Sequence, residues 1–131
     1  MKPLILTLSA LGIMLLLDGV WLGLVAKQFY STHIGHLMSS QVNWGAAIVF
    51  YLLFGLSLIF LILLPHQNAT LGTIALYAAI FGIVCYGTYD LTNMATLKNW
   101  PLVVTVVDMI WGATITTVTA VGATYISRFF G

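Results

Sequence analysis

The chain has 131 residues, 61% of them hydrophobic and 5% charged, with mean hydropathy +1.08 and a formal net charge of +1. A soluble domain carries about 25% charged residues, so this chain cannot cover itself in water, and it has no basic footprint for nucleic acid. From Gln28 to Tyr89 there is no Lys, Arg, Asp or Glu, which makes a lipid bilayer the expected solvent and first partner.

A helical span needs about 20 apolar residues. The first is expected at about Leu4 to Ala26. Lys2 and the run from Leu4 to Leu17 imitate a signal peptide. Leu24 and Ala26, however, make a poor small-x-small cleavage site, and the apolar segment continues past Asp18, so an uncleaved span is expected. The segment Lys27 to Asn43 is too long for a tight turn. Phe29, Tyr30, Ile34, Leu37 and Met38 recur there at helical spacing, with Ser31 or Thr32 as candidate caps. This predicts a short amphipathic helix at the membrane interface.

The second span is expected at about Gly45 to Leu64, ended by the turn chemistry of Pro65-His66-Gln67-Asn68. The third runs from about Leu71 to Thr96, and Lys98-Asn99-Trp100-Pro101 breaks it. The fourth runs from about Pro101 to Ser127, with Pro101 suited to a first helical turn. Four strands cannot close a membrane barrel, so Thr and Val in the fourth span do not make it a strand. The expected fold is all-α: an integral membrane four-transmembrane-helix bundle with a short interfacial helix between spans 1 and 2. Residues 1–131 are expected to form a single transmembrane domain. Trp44 and Trp100 fall at span ends, as an aromatic belt predicts. Cys85 reads as a small apolar residue in mid-span.

Orientation is tied. Lys2 and Arg128 fall on one side, Lys27 and Lys98 on the other, so the positive-inside rule favours neither direction. Either another feature fixes one orientation, or dual insertion allows an antiparallel homodimer. Self-association is expected in either case, because 131 residues make a thin bundle.

All three acidic residues, Asp18, Asp90 and Asp108, lie inside the spans. An Asp at a helix centre costs roughly 2.5–3.5 kcal/mol on insertion scales, which makes it a functional-site hypothesis. Loops 27–43 and 97–101 must share a side, because the chain crosses twice between them. Counted from that side at 1.5 Å per residue, Asp18 lies about 12 Å deep, Asp90 about 9 Å and Asp108 about 10 Å. The acids should therefore form one layer in one leaflet.

The helix faces agree with this. Tyr86, Asp90 and Asn93 follow i, i+4, i+7, with Tyr89 beside Asn93. Thr105, Asp108, Trp111 or Gly112, and Thr116 share a stripe, and Asp18 shares a face with Trp21 and Leu22. Lipid offers no hydrogen bonds, so such faces turn inward. The expected site is a polar cavity lined by Asp18, Asp90, Asn93 and Asp108 and walled by Trp21, Tyr86, Tyr89 and Trp111. It should open toward Lys27, His33, His36 and Lys98. Desolvation and mutual repulsion oppose three simultaneous negative charges, so at least one acid is expected to carry a proton near neutral pH.

Asp18-Gly-Val-Trp21 recurs as Asp108-Met-Ile-Trp111. Spans one and four run in opposite directions, so the two copies can face each other about a pseudo-twofold axis. A carboxylate beside aromatic faces suits a lipophilic cation. Gly19-xxx-Gly23 and Ala78-xxx-Gly82 read as close helix-packing patterns. His33 and His36 sit at i, i+3, but the acids lie about 10 Å below that segment, so no metal site is assigned. No nucleophile elbow, phosphate-binding glycine loop or paired-Cys motif occurs, and no residue pattern names a cofactor.

The phrases Leu17-Asp18-Gly19-Val20-Trp21-Leu22-Gly23, Tyr89-Asp90-Leu91-Thr92-Asn93-Met94-Ala95-Thr96 with Trp100-Pro101, and Val107-Asp108-Met109-Ile110-Trp111-Gly112 resemble a family of small bacterial membrane proteins, domain of unknown function 2177. The resemblance spans nearly the whole chain. It implies a four-helix integral protein of a bacterial inner membrane and supplies no activity.

Three functions compete. The first is binding, extending to proton-linked transport, of a small lipophilic or cationic ligand. The second is a membrane-embedded enzyme on a lipid-like substrate with Asp as acid or base; it lacks an obvious nucleophile. The third is a structural or accessory subunit whose Asp residues fix packing. Transport needs access from both sides, and polar residues are concentrated on one side of the acid layer. That favours one-sided binding.

Overall fold

The computed structural model describes residues 2–131. Among these, the chain is helical with no strand. Helix α1 (Lys2–Val20) continues through a π-helical turn, Trp21–Val25, closed by the Ala26 N–H on the Trp21 carbonyl at 2.7 Å. Helix α2 (Lys27–Ile34) follows directly and ends in a 3₁₀ turn, Gly35–Leu37. Helix α3 (Trp44–Leu58) also ends in a π-helical turn, Ile59–Leu63. Helices α4 (Leu71–Thr96) and α5 (Leu102–Phe130) complete the chain. Four helical segments, Lys2–Val25, Trp44–Leu63, Leu71–Thr96 and Leu102–Phe130, are long and apolar enough to cross a membrane.

The span boundaries have local causes. Asn43 caps α3 by accepting from the Ala46 N–H at 3.1 Å, and Thr70 caps α4 by accepting from the Thr73 N–H at 3.2 Å. Between α4 and α5 the chain doubles back through Asn99, whose φ of 59° is a left-handed conformation that Asn tolerates. At the opposite end, Arg128 donates to the Gln67 and Ala69 carbonyls at 2.8 and 2.5 Å and ties α5 to the loop between α3 and α4.

Three expectations need correction. Helix α2 starts at Lys27 rather than after Ser31 or Thr32, because it continues from the π turn and needs no side-chain cap. Trp44 is 69% exposed, as a belt residue should be, but Trp100 is only 9% exposed. Its indole N–H donates to Thr105 Oγ1 at 3.0 Å, and that bond draws the ring inward. Finally, a Cβ added at Gly19 or Gly23 would meet nothing within 4 Å, so this pair packs no helix of the same chain.

Helix α5 lies against both α1 and α4 and also touches the π turn that ends α3. In lipid there is little hydrophobic drive between helices, so close backbone approach and van der Waals packing decide the arrangement. The tightest approach is at Gly82 and Gly112. A Cβ on Gly82 would overlap the Gly112 carbonyl, and one on Gly112 would lie 2.6 Å from Tyr86 Cγ. Ala78 of the same α4 face is fully buried. The core changes character along the spans. Toward the termini it is aliphatic: Leu6, Ala10, Leu58, Leu63, Ile74, Ala78 and Ala120 pack together. Toward the middle, Met14, Phe54 and Ile115 are bordered by Tyr51, Tyr86 and Trp111. Beyond them come the carboxylates.

Candidate functional site

Asp18, Asp90 and Asp108 are all buried, at 5%, 0% and 8% exposure. A carboxylate facing lipid has no hydrogen-bond donors, and the helix phase of each Asp turns it into the protein instead. The donors come from three elements.

Asp18 on α1 accepts through both oxygens. Trp111 Nε1 on α5 donates to Oδ1 at 3.0 Å, and the Tyr51 hydroxyl on α3 donates to Oδ2. Asp108 on α5 accepts from the Tyr30 hydroxyl, which α2 brings down into the spans. Tyr30 in turn accepts from Trp21 Nε1 at 3.1 Å. The Trp21 and Trp111 rings stack at 4.4 Å between centroids and 8° between planes.

The two copies of the repeated phrase therefore meet in a crossed arrangement. Trp111 bonds the Asp of the first copy directly. Trp21 reaches the Asp of the second copy through Tyr30. Each Asp also receives one tyrosine hydroxyl. The near-parallel indoles join the two halves, as opposed spans carrying the same Asp–Trp spacing permit.

The π turn at Trp21–Val25 begins one turn beyond Asp18. It accommodates an extra residue per turn and re-aims the chain. Helix α2 then starts at once, with Phe29, Tyr30 and His33 half-buried and Lys27, Gln28, Ser31 and Thr32 exposed. Phe29 stacks on Tyr30 at 5.4 Å and meets His33 edge-on at 4.5 Å. Burial pushes the Tyr30 phenol well above its ordinary value, and the hydrogen bond to Asp108 adds to this against a smaller opposing effect from Trp21. Tyr30 is thus held neutral, as a donor to Asp108.

Asp90 on α4 differs from the other two. Neither of its carboxylate oxygens has a hydrogen-bond partner, although the Asp108 carboxyl is a neighbour. Thr105 is spent on other contacts: it accepts from Trp100, and its hydroxyl faces the Asp90 backbone carbonyl at 3.4 Å.

Of the remaining candidate residues, Tyr86 is half-buried over Gly112 and meets Phe54 edge-on at 5.9 Å. Tyr89 is 57% exposed and lies edge-on to Trp100 at 5.9 Å. Asn93 is half-buried about one turn beyond Asp90, toward the α4–α5 loop. The hydrogen-bonded layer thus unites Asp18, Trp21, Asp108 and Trp111, with Tyr86 alongside. Tyr89 and Asn93 make none of these bonds. Two tyrosines that sequence reasoning does not assign to the site, Tyr30 and Tyr51, supply donors to it. Tyr51 had a signal, since it is the only polar side chain from Ala46 to Leu56. Among the described residues, no three His, Cys, Asp or Glu side chains converge as a metal-binding group.

A family model described as "Predicted membrane protein (DUF2177)" matches residues 4–125. No curated protein and no solved structure matches the chain.

Proposed function

The chain belongs to the DUF2177 family of predicted membrane proteins, and from that premise we propose that it binds a small lipophilic cation at the Asp–aromatic layer, entering from the side that carries α2. In this reading the protein is multi-pass in a bacterial cytoplasmic membrane, and residues 1–131 act as one transmembrane domain.

The observation that carries the proposal is the Trp21–Trp111 stack flanked by the Asp18 and Asp108 carboxyls. No Lys or Arg lies between Lys2 and Lys27 or between Lys98 and Arg128 to balance those acids from α1 or α5. Carboxylate charge and indole faces both attract a desolvated cation, and cation–π contact contributes about 2 kcal/mol or more when water is excluded. In this reading Tyr30 is the cover. It comes from a short helix outside the spans, and its hydroxyl occupies the position beside Asp108 and Trp21 that a cation would take.

Native mass spectrometry in mild detergent tests this, comparing wild type with the Asp18→Asn, Asp90→Asn, Asp108→Asn triple variant and extracting what co-purifies. A stoichiometric organic cation on wild type alone supports binding. Two equally folded, equally bare proteins count against it.

A packing role is the second reading. It is favoured by one fact: Asp18 and Asp108 already find donors within the chain. It predicts that Asn, which keeps the hydrogen-bonding shape, preserves phenotype at all three positions.

A further inference from the structure

The end of the molecule away from α2 carries two cations, Lys2 and Arg128, and no acidic side chain. By helical rise, Asp18 lies about 24 Å along the helix from Lys2, and Asp108 about 30 Å along α5 from Arg128. Arg128 is exposed in the last turn of α5 and donates to the Gln67 and Ala69 carbonyls, both times through Nη2. A guanidinium has five N–H donors. Among the described residues, its Nη1 and Nε edge is therefore unengaged, and neutral carbonyls leave its charge unanswered. Lys2, Gln67, Thr124, Ser127 and Arg128 border one shallow crevice there. Thr124 and Ser127 bring hydroxyl-bearing side chains that are otherwise buried.

The turn that Arg128 grips has a second face. Leu63 and Gln67 border the crevice, whereas Ile62 and His66, one position earlier, border a lateral groove between the end of α3 and α4. The groove holds about 480 Å³, within the range of about 300–1,000 Å³ usual for small-ligand sites. Ile80, Phe81 and Val84 of α4 form its apolar wall. His66 and Tyr77 line it as well, with ring centroids 4.8 Å apart. His66 belongs to the turn between the spans, so it marks the interfacial end of the groove. Its Nδ1–H donates to the Ile62 carbonyl at 2.7 Å, which leaves Nε2 for a group at the membrane surface.

An apolar helix face in lipid carries no information by itself. Here the apolar concavity ends at polar side chains beside a cation. A second copy of this chain does not answer that charge. Its three acids are buried, and its opposite end bears Lys27 and Lys98, so neither orientation brings an acidic side chain. The bilayer does supply anions. Basic pockets between spans hold anionic headgroups, and Arg pairs with phosphate through two parallel N–H bonds.

We propose that this end binds one anionic phospholipid, its phosphate on the open edge of Arg128 within reach of Lys2 and one acyl chain in the α3–α4 groove below His66 and Tyr77. The crevice holds about 10 Å³, room for about one water-sized atom. It therefore admits one phosphate oxygen while the rest of the lipid stays outside. The site lies at the opposite end of the spans from the Asp–aromatic layer and does not depend on a ligand there.

Purified full-length protein, delipidated in mild detergent, is titrated with phosphatidylglycerol and with phosphatidylcholine of identical chains, and bound lipid is counted by native mass spectrometry. Wild type should retain one phosphatidylglycerol, about fivefold or more tighter than phosphatidylcholine, the factor that one basic residue near a membrane surface contributes. Lys2→Gln and Arg128→Gln should each lower that preference, and Lys98→Gln, at the other end, should not. Ile80→Trp fills the groove and should weaken both lipids. If Arg128→Gln does not fold, Lys2→Gln and the wild-type comparison decide. Equal affinity for the two lipids, or no retained lipid, would overturn the proposal. Equal losses in Lys2→Gln and Lys98→Gln, or unchanged binding in folded Ile80→Trp, would overturn it as well.

Discussion

Trp111 donates its indole N–H to Asp18 at 3.0 Å while its ring stacks on Trp21 at 4.4 Å. The residue therefore has two separable roles, one polar and one aromatic. Trp111→Phe keeps a ring for the stack and removes the donor. Hydrogen bonds to charged groups contribute about 1.5–3 kcal/mol. Thermal unfolding in detergent should show a loss of that order. Trp111→Phe in an Asp18→Asn background should cost less than in wild type, because the charged acceptor has gone.

Tyr30 links the interfacial helix to the spans, and its titration should be visible in stability. The folded chain holds the Tyr30 proton more tightly than the unfolded chain, where the ordinary value is 10.0. Its stabilisation is therefore complete below about pH 10 and is lost as pH rises through the higher folded value. Melting temperature measured from about pH 7 to about pH 11 should fall at the alkaline end. Tyr30→Phe should lower the neutral-pH value and flatten that alkaline fall.

Gly82 sets how closely α4 approaches α5. An added Cβ would meet the Gly112 backbone carbonyl, which cannot rotate away as a flexible side chain would. Gly82→Ala should destabilise the protein by about 1–3 kcal/mol, as overpacking does. Gly19→Ala, whose Cβ would meet nothing, should be close to neutral. Paired melting curves check both.

The four spans were legible in the sequence because membrane-length apolar runs leave few alternatives; the third matched at both ends, Leu71 and Thr96. The grouping of Asp18 with Asp108 was legible for a similar reason, since helical rise places both about the same number of residues from their loops, and the Trp111, Trp21 and Tyr30 contacts join them. The donors were not. Tyr30 reads as part of the apolar face of an interfacial helix, and nothing local says that its hydroxyl reaches a carboxylate 78 positions away. Tyr51 lies in a run with no other polar side chain, yet only tertiary packing sets which acid it meets. Trp100 imitates a belt residue by position, and its turn inward depends on Thr105 of the next helix.

The most direct test of ligand binding at the Asp–aromatic layer is a titration with tetraphenylphosphonium, followed by tryptophan fluorescence. Wild type should bind it saturably. Asp108→Asn should weaken binding by about tenfold or more, the equivalent of about 1.4 kcal/mol, and Tyr30→Ala should tighten it by clearing the cover. Saturable binding that is unchanged in folded Asp108→Asn and Asp18→Asn, or no binding by wild type or Tyr30→Ala, would contradict the account.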